Sequence, residues 1–267
     1  MSRIGIIAGN GKLPLAITQE AKAGGFEVHI CAIKGEAMSE LSQIATSIEW
    51  IKLGQLGKLI QYFESKQVRE AVMAGKITKT NIMKGDIVPD VEMIKLMAGV
   101  KDRKDDTLLG AVSDYLQHKG IRLLSSVGFL ENSMAKAGVL SKRKPKKVDE
   151  EEIDFAWRLA KQIAGLDIGQ TVVTKNKAVL AIEAIEGTDQ AILRGGELGG
   201  GGVVVAKVAK PNQDMRFDVP TVGLHTLEVM LRAKVDILAI EAGKTILLDR
   251  DEFLRKADRH KMLVVAR

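Results

Sequence analysis

The fold is decided by the N-terminal stretch RIGIIAGNGKLPLAITQEAKA, residues 3–23. The six residues 3–8 are mostly apolar and predict a buried β-strand. Leu13–Ala23 predicts an α-helix, in which Pro14 is tolerated because it falls in the first turn. Between them lies a four-residue turn, Gly9-Asn10-Gly11-Lys12. A buried strand that leads through a tight turn into a helix is the start of a βαβ unit and indicates a parallel sheet.

The same alternation continues through the first half of the chain. Strands are predicted at residues 27–33, 47–53, 69–74 and 121–125, and helices at 56–65, 90–98 and 105–118. Strands that alternate with helices place helices on both faces of a parallel sheet. We therefore expect an α/β protein whose N-terminal domain, residues 1–134, is a Rossmann-like parallel-sheet domain.

The pattern changes after a charged segment in the middle of the chain. Residues 142–147 read Lys-Arg-Lys-Pro-Lys-Lys, and an acidic run at 149–154 opens a predicted helix at 151–165. Acidic groups at a helix N-terminus complement the helix dipole, so we expect a linker at 135–150 that leads into this helix. The basic run allows two interpretations, a solvated linker or a contact with anionic lipid or phosphate.

The second half predicts a C-terminal catalytic α/β domain with a mixed sheet, residues 151–267. Two strands, 170–174 and 178–182, form a predicted hairpin across the turn 175–177. Thr188 is the expected N-cap of a helix that extends to Arg194, and the glycine-rich stretch 195–202 is expected to be flexible. Further strands are predicted at 203–208, 237–240, 246–248 and 263–265, with a helix at 252–260.

Composition excludes several protein classes. Hydrophobic residues make up 46% and charged residues 28% of the 267 residues, which is typical of a folded domain and not of a disordered chain. A single cysteine, Cys31, leaves no intrachain disulfide and no cysteine-based zinc site. The short apolar N-terminus predicts no signal peptide, and we expect a cytoplasmic protein. The net charge of +6 favours anionic partners, but aromatic residues are only 4%, which disfavours stacking on single-stranded nucleic acid.

The first turn has the chemistry of a phosphate-binding loop without either common motif. A dinucleotide fingerprint requires glycine where this chain has Pro14, which disfavours a dehydrogenase. A P-loop requires glycine and Ser/Thr where the chain has Ile6 and Leu13. Backbone N–H groups at a helix N-terminus still attract phosphate, so Gly9–Lys12 is expected to contact a phosphate or sugar.

Two other segments are predicted to lie at the same edge of the sheet. Gly75-Lys76 follows the strand at 69–74, and Lys76 supplies a positive charge for phosphate. Asp105-Asp106 opens the helix at 105–118, where Asp105 is also a candidate N-cap. The carboxyl ends of parallel strands meet at one edge, and ligands of open α/β sheets bind there.

The C-terminal half carries the denser set of polar residues. Period-two alternation places Glu183 and Glu186 on opposite faces unless the chain turns before Glu186. Carboxylates bind hard divalent cations and lysine or arginine neutralises phosphate, so these residues are typical of a metal-assisted phosphate site. The candidates are Glu183, Glu186, Thr188, Asp189, Lys207, Lys210, Asp214, Arg216, Asp218 and Thr221. The four histidines, His29, His118, His225 and His260, are interpreted as structural, and Cys31 as a buried, inert thiol.

Taken together and in order, several segments resemble the LpxI family of UDP-2,3-diacylglucosamine pyrophosphatases, over essentially the whole chain. The segments are 5–14 (GIIAGNGKLP), 54–58 (GQLGK), 72–76 (VMAGK), 105–109 (DDTLL), 167–170 (DIGQ), 179–189 (VLAIEAIEGTD) and 214–223 (DMRFDVPTVG). The specific parts are Glu186-Gly187-Thr188-Asp189 and Asp218-Val219-Pro220-Thr221-Val222-Gly223.

The resemblance implies hydrolysis of UDP-2,3-diacylglucosamine to UMP and 2,3-diacylglucosamine 1-phosphate, with Mg²⁺ and water attack at the sugar-side phosphorus, in a chamber between two domains. It implies that Asp218 is the essential aspartate. We rank Asp214 second. From their chemistry we expect Glu186 and Asp189 to supplement Asp218, with Asp218 and Glu186 as metal ligands. The substrate-binding residues would be Gly9, Asn10, Gly11, Lys12, Gly75, Lys76, Asp105, Asp106, Thr188, Lys207, Lys210, Arg216 and Thr221.

Two other function classes stay open at this point. A non-catalytic nucleotide-sugar binding or regulatory protein could use the same fold, because fold does not fix function. A nucleic-acid-binding protein is suggested by the charge and by residues 142–147, and disfavoured by the low aromatic content. Peripheral contact with the inner membrane and a homo-oligomer are further expectations.

Overall fold

The computed structural model describes residues 2–77, 87–100, 105–211, 213–216 and 219–267, and for Asp105 and Asp106 the backbone only. The chain forms two compact units. Unit 1 comprises Met1–Leu130 together with Asp214–Asp218, and unit 2 comprises Glu131–Gln213 together with Val219–Arg267.

Unit 1 alternates strands and helices as the sequence predicts. Its elements are β1 (Arg3–Ala8), α1 (Leu13–Ala23), β2 (Glu27–Ile33), α2 (Leu41–Ile44), β3 (Ser47–Ile51), α3 (Leu56–Ser65), β4 (Glu70–Ala74), α4 (Val91–Gly99), α5 (Asp105–His118) and β5 (Arg122–Leu124). The five strands form one parallel sheet in the order β3-β2-β1-β4-β5. The order reverses between β1 and β4, so the carboxyl ends of these two strands flank the point where doubly wound sheets bind ligands.

Unit 2 is built on a mixed sheet. Its elements are β6 (Gly138–Val139), α6 (Lys147–Gly165), β7 (Thr171–Lys175), β8 (Ala178–Ile182), α7 (Thr188–Gly199), β9 (Val203–Lys207), β10 (Thr221–Val222), α8 (Leu224–Arg232), β11 (Val235–Ile240), β12 (Ile246–Leu247), α9 (Arg250–Arg259) and β13 (Leu263–Ala266). Six strands pair in the order β6-β13-β11-β9-β7-β8, and β10 pairs with β12. Strands β9, β11 and β13 are parallel, whereas β6, β7 and β8 pair antiparallel with their neighbours. The predicted α/β class with a parallel and a mixed sheet is confirmed.

The segment predicted as a linker takes part in the structure of unit 2. Strand β6 pairs with β13, and helix α6 begins at Lys147, earlier than predicted. Arg143, in the basic run, donates to the Asp236 carboxylate at 2.6 Å and to Asp149 at 3.2 Å. At least this one cation of the basic run therefore neutralises carboxylates of its own unit.

The glycine-rich stretch is more ordered than predicted, because Gly195–Gly199 lie within α7. A Cβ atom at Gly195 would lie 2.5 Å from Val173 Cγ1, and one at Gly196 would lie 2.5 Å from the Ala233 carbonyl oxygen. The prediction of flexibility for these residues was wrong, because these glycines let a helix pack closely onto strand β7 and the end of α8. Within the described residues, no helix combines the length and apolar character needed to cross a membrane.

Candidate functional site

The turns after β1 and β4 are joined by backbone hydrogen bonds. The Gly9 N–H donates to the Ala74 carbonyl at 2.8 Å and the Asn10 N–H to the Lys76 carbonyl at 2.8 Å. The Lys76 N–H donates back to the Asn10 carbonyl at 3.1 Å. The structure therefore brings together the two turns that the sequence places at one sheet edge.

Two glycines make this close approach possible. A Cβ atom at Gly9 would lie 2.7 Å from the Lys76 carbonyl oxygen, and one at Gly75 would lie 2.6 Å from that of Asn10. Gly75 also has a φ of +85°, which disfavours any other residue. The close approach of the two turns thus explains glycine at both positions without any ligand. Helix α1 begins directly after this pair of turns, and its N-cap, Lys12, forms no side-chain cap.

The predicted acidic pair stands at the first two positions of helix α5, which begins at Asp105. The side chains of Asp105 and Asp106 lie outside the described part of the structure. The proposed contacts of this pair with substrate stay a prediction.

The segment 214–216 packs within unit 1 through Arg216. Its guanidinium donates to both oxygens of Asp214, at 2.7 to 3.1 Å, and to the buried hydroxyl of Ser113 on α5 at 3.1 Å. The hydrogen bonds from Arg216 hold the pKa of the Asp214 carboxyl below its usual value. Ser125 adds a hydrogen bond to the Met215 carbonyl at 2.9 Å. The carboxylate of Asp214 therefore fixes the conformation of Arg216. Asp218, the residue with the strongest sequence prediction, lies outside the described residues.

In unit 2, a chain of three polar side chains lies at the edge of the sheet where β9 ends. The Lys207 ammonium donates to the Thr188 hydroxyl at 3.0 Å, and this hydroxyl donates to Glu183 Oε1 at 2.8 Å. Lys207 is the last residue of β9, Glu183 follows β8, and Thr188 is the first residue of α7. The Lys207 residue is only 8% exposed, so most of its surface is removed from water.

Glu183 is ionised in this setting. Burial raises the pKa of its carboxyl. The Lys207 charge, the hydroxyls of Thr171 and Thr188 and the Gln170 backbone together outweigh burial, and the pKa lies below its usual value. Gly169 packs against Glu183, since a Cβ atom at Gly169 would lie 2.0 Å from the Glu183 carbonyl oxygen. The Asp167-Ile168-Gly169-Gln170 segment of the sequence is thus the neighbour that fixes Glu183 in place.

The other acidic residues of this segment have different partners. The chain does turn before Glu186, where the Gly187 N–H donates to the Ala184 carbonyl at 3.2 Å. Glu186 forms an ion pair with Arg194 at 2.9 Å, and its other oxygen accepts from the Ala184 N–H at 3.2 Å. Glu183 and Glu186 therefore bind different groups. The prediction that Thr188 is an N-cap was wrong: the N-cap is Gly187, which leaves the Thr188 hydroxyl for Glu183 and Lys207.

Asp189 in the first turn of α7 has a histidine beside it. His225 Nε2, on α8, lies 3.3 Å from Asp189 Oδ2. No sequence pattern predicts this pair, because 36 positions separate the two residues and no motif connects them. His225, interpreted as structural, is 76% exposed in its side chain and stands next to a predicted catalytic carboxylate.

Two further candidates are engaged close to their own position in the chain. Lys210 forms an ion pair with Asp167 at 2.7 Å, and its backbone N–H donates to Gln213 at 2.7 Å. The Thr221 hydroxyl donates to the Val219 carbonyl at 2.9 Å. These contacts define the resting positions of both side chains, and their roles in substrate binding stay predictions.

One buried carboxylate near these residues is not predicted from the sequence. Glu241, at the end of β11, accepts from the Ala209 N–H at 2.8 Å and from Lys161 at 3.0 Å. It is 8% exposed and anchors the backbone between Lys207 and Lys210. A glutamate after an apolar strand is the only signal that could have indicated it.

The carboxylates that the structure describes do not assemble into a metal site. Within the described residues, no group of three or more His, Cys, Asp or Glu side chains is arranged to hold an ion. Glu186, the predicted partner of Asp218 in metal binding, has each oxygen bonded to a protein donor.

Comparison with known proteins adds independent findings. The family model of the LpxI N-terminal domain matches residues 3–133, and that of the LpxI C-terminal domain matches residues 136–265. A curated relative, the UDP-2,3-diacylglucosamine pyrophosphatase LpxI of Caulobacter vibrioides, is 29% identical over 97% of this chain and 95% of its own length.

Solved structures give only distant similarity. N5-carboxyaminoimidazole ribonucleotide synthetase from Thermotoga maritima is 15% identical, with a TM-score of 0.26 over 68% of this chain and 41% of that one. Phosphoribosylglycinamide synthetase from Anaerococcus prevotii is 12% identical, with a TM-score of 0.28 over 72% of this chain and 42% of that one. The chain spans less than half of either protein, and scores this low carry no argument about fold or function. The two family models, by contrast, cover nearly every residue, and the chain belongs to the LpxI family.

Proposed function

We propose that this protein hydrolyses the pyrophosphate bond of UDP-2,3-diacylglucosamine and releases UMP and 2,3-diacylglucosamine 1-phosphate. The observation that carries the proposal is the match to a named pyrophosphatase over 97% of the chain. The relative is itself covered over 95% of its length, so both halves of that enzyme have a counterpart here.

The positions of the cations support this chemistry. A pyrophosphate diester carries negative charge on both phosphates, and hydrolysis increases the charge on the attacked phosphorus and on the leaving phosphate. Unit 2 places the buried ammonium of Lys207 at a sheet edge, beside the N-terminus of α7. In our proposal Lys207 and Lys210 bind one part of the phosphate charge.

Unit 1 offers a second set of groups for the same charged substrate. Lys76 lies on the joined turns with Gly9 and Gly75, and Lys12 stands at the N-cap position of α1. Arg216 is held in place by Asp214 and Ser113. We assign these residues to the nucleotide and sugar-phosphate ends of the substrate.

Asp218 orients the attacking water in this proposal. The assignment rests on the Asp218-Val219-Pro220-Thr221 segment, which resembles that of the family. The water attacks the sugar-side phosphorus, and UMP leaves. Hydrolysis in ¹⁸O-labelled water checks the direction of attack, because the label then appears in diacylglucosamine 1-phosphate and is absent from UMP.

Metal assistance is a separate part of the proposal. A bound Mg²⁺ would polarise a phosphoryl oxygen, with Asp218 and Glu186 as the expected ligands. The described carboxylates do not provide such a site by themselves, and none of the roles given above to this chain's own residues requires the ion. Loss of activity in EDTA and its recovery with added Mg²⁺ would support the metal.

The deciding experiment is an assay of purified protein with UDP-2,3-diacylglucosamine, with UMP release followed by chromatography. We expect turnover by the wild type and none above background by Asp218→Ala. Tight binding of the substrate without UMP release, with and without Mg²⁺, would contradict an enzymatic function and favour a nucleotide-sugar binding protein.

Two further expectations have their own tests. Flotation with vesicles of inner-membrane composition tests the expected membrane contact, and light scattering tests the expected homo-oligomer.

A further inference from the structure

The ammonium of Lys207 has unused hydrogen-bonding capacity in a buried place. It carries three N–H donors, and the structure shows one hydrogen bond for it, to the Thr188 hydroxyl at 3.0 Å. Lys207 forms no ion pair with any carboxylate in the part of the chain that the structure describes. A buried cation is costly unless it is paired, and Glu183 reaches Lys207 only across the Thr188 hydroxyl. The remaining N–H donors of the ammonium therefore suit a second anionic partner.

The direction of the hydrogen bonds shows how the ammonium is held. The Thr188 hydroxyl has one hydrogen, which it donates to Glu183 Oε1 at 2.8 Å, so its lone pairs must face Lys207. Glu183 therefore acts on Lys207 in two ways. Its negative charge attracts the ammonium, and its hydrogen bond fixes the hydroxyl that accepts from the ammonium.

Glu183 itself retains a buried acceptor. Its second oxygen, Oε2, is buried and forms no hydrogen bond of good geometry among the described residues, and neither does the buried Oε1 of Gln170. The Thr171 hydroxyl and the Gln170 backbone lie close enough to stabilise the negative charge of Glu183, but without such a bond to Oε2. The backbone holds this region tightly, because the Glu183 N–H donates to the Thr171 carbonyl at 2.9 Å, and Thr171 pairs with Lys207 in the sheet. An ionised, incompletely satisfied carboxylate here costs stability, which is typical of a functional site.

The N-terminus of helix α7 supplies a favourable electrostatic field for an anion beside Lys207. Its N-cap, Gly187, offers no side-chain oxygen to the first backbone N–H groups, and Thr188 stands at the first helical position. The partial positive charge of the helix N-terminus and the Lys207 ammonium therefore act on the same region.

We propose that Lys207 is the anchor for one phosphate of the substrate's pyrophosphate and that Glu183 is its positioning residue, acting through the Thr188 hydroxyl. This inference rests on the proposed function for the identity of the phosphate ligand. Glu183 touches neither phosphate nor the attacked phosphorus, and its effect reaches them only through Thr188 and Lys207.

The test measures binding of inorganic pyrophosphate by calorimetry, separately from hydrolysis. We expect Glu183→Gln and Lys207→Met each to weaken pyrophosphate binding by about tenfold or more, because this is the usual effect of losing one hydrogen bond to a charged group. In the double variant the two losses should not multiply, because Glu183 acts through Lys207. Glu151→Gln is the matched control, since it removes a carboxylate from an exposed ion pair with Lys177 and should bind pyrophosphate as the wild type does.

A pair of substitutions at Thr188 keeps the test decisive if Glu183→Gln does not fold. Thr188→Val keeps the shape and removes both hydrogen bonds, and it should weaken pyrophosphate binding as Glu183→Gln would. Thr188→Ser retains the hydroxyl and should keep most of the affinity. A purely structural role would lower the melting temperature of these variants without this pattern.

The outcomes separate the inference from the proposed function. Multiplying losses in the double variant, or equal affinity of Thr188→Val and wild type, overturns the positioning role of Glu183. Absence of pyrophosphate binding to the wild type overturns the anchor. Absence of hydrolysis by a wild type that shows the expected pyrophosphate pattern overturns the proposed enzyme and leaves the positioning role standing.

Discussion

At the scale of single residues, Asp218 should have the largest effect on turnover. If it orients the attacking water, Asp218→Ala should lower kcat by about a hundredfold or more, as removal of a general base does. The melting temperature and substrate affinity should stay close to those of the wild type. UMP release under saturating substrate measures the effect, and Asp218→Asn serves as an isosteric second variant. Near-normal hydrolysis by both would remove Asp218 from the mechanism.

His29 should make stability depend on pH. Burial lowers the pKa of its ring below the usual value, and the ring is held by Ser47 at 2.8 Å, with Glu27 and Arg3 as the charged neighbours. The unfolded chain takes up a proton at about pH 6.5 and the folded protein only at lower pH, so the unfolded state binds more protons in between. His29 should therefore lower the free energy of unfolding as pH falls below about 6.5.

The comparison with His29→Gln isolates this contribution. In the wild type the slope of unfolding free energy against pH should be larger by up to about 1.4 kcal/mol per pH unit in that window, the value for one proton. Denaturant unfolding at several pH values measures both slopes. Equal slopes would show that His29 contributes nothing to the pH dependence.

At the scale of elements, Asp90 connects the starts of two helices. Its Oδ2 accepts from the Gly57 N–H in the first turn of α3 at 2.7 Å, and its Oδ1 accepts from the Met93 N–H in α4 at 3.0 Å. Asp90→Ala removes both contacts and should lower the free energy of unfolding by about 2 kcal/mol, about 1 for each lost cap. Asp90→Asn keeps one acceptor oxygen, and its free energy of unfolding should lie between those of the wild type and Asp90→Ala. An unchanged denaturation midpoint in Asp90→Ala would contradict this double role.

Two glycines in helices should respond in opposite directions to alanine. A Cβ atom at Gly196 would lie 2.5 Å from the Ala233 carbonyl oxygen, whereas one at Gly110 would have no neighbour within 4 Å. Gly196→Ala should destabilise by about 1–3 kcal/mol through overpacking, and Gly110→Ala should stabilise by up to about 1 kcal/mol through helix propensity. Urea denaturation of both variants measures this. Similar changes in both would show that the close packing of α7 has no energetic weight.

Local sequence patterns predict the elements well and their partners poorly. Strand β1 and helices α1, α3 and α5 have the predicted bounds, because apolar periodicity and turn residues act over a few neighbouring positions. Gly195–Gly199 were misjudged, because glycines that permit close packing and glycines that permit flexibility look alike in sequence. The contacts of Glu183 with Thr188 and Lys207 depend on which strands are neighbours in the sheet, and no local pattern encodes that.

At the scale of the whole molecule, net charge and low aromatic content favour an anionic partner, and the resemblance to the LpxI family is the ground on which we propose its identity. The net charge of +6 and the low aromatic content are compatible with an anionic small-molecule ligand, but they do not indicate which one. The buried Lys207 shows that at least one of these positive charges is held in a fixed position, by its hydrogen bond to Thr188. The ion pairs of Arg143 show that part of the basic run stabilises unit 2 and leaves less charge for nucleic acid.

Lipid that accompanies the purified protein should identify its substrate. If the protein hydrolyses UDP-2,3-diacylglucosamine, wild-type preparations should carry the product, diacylglucosamine 1-phosphate, which keeps the acyl chains and one phosphate. Asp218→Ala should instead carry the intact nucleotide lipid, because it binds without turnover. Mass spectrometry of an organic extract measures the ratio of the two lipids, with an unrelated protein purified in parallel as control. The same membrane phospholipids in all three samples would contradict the assignment, since neither substrate nor product would then have been selected from the cell.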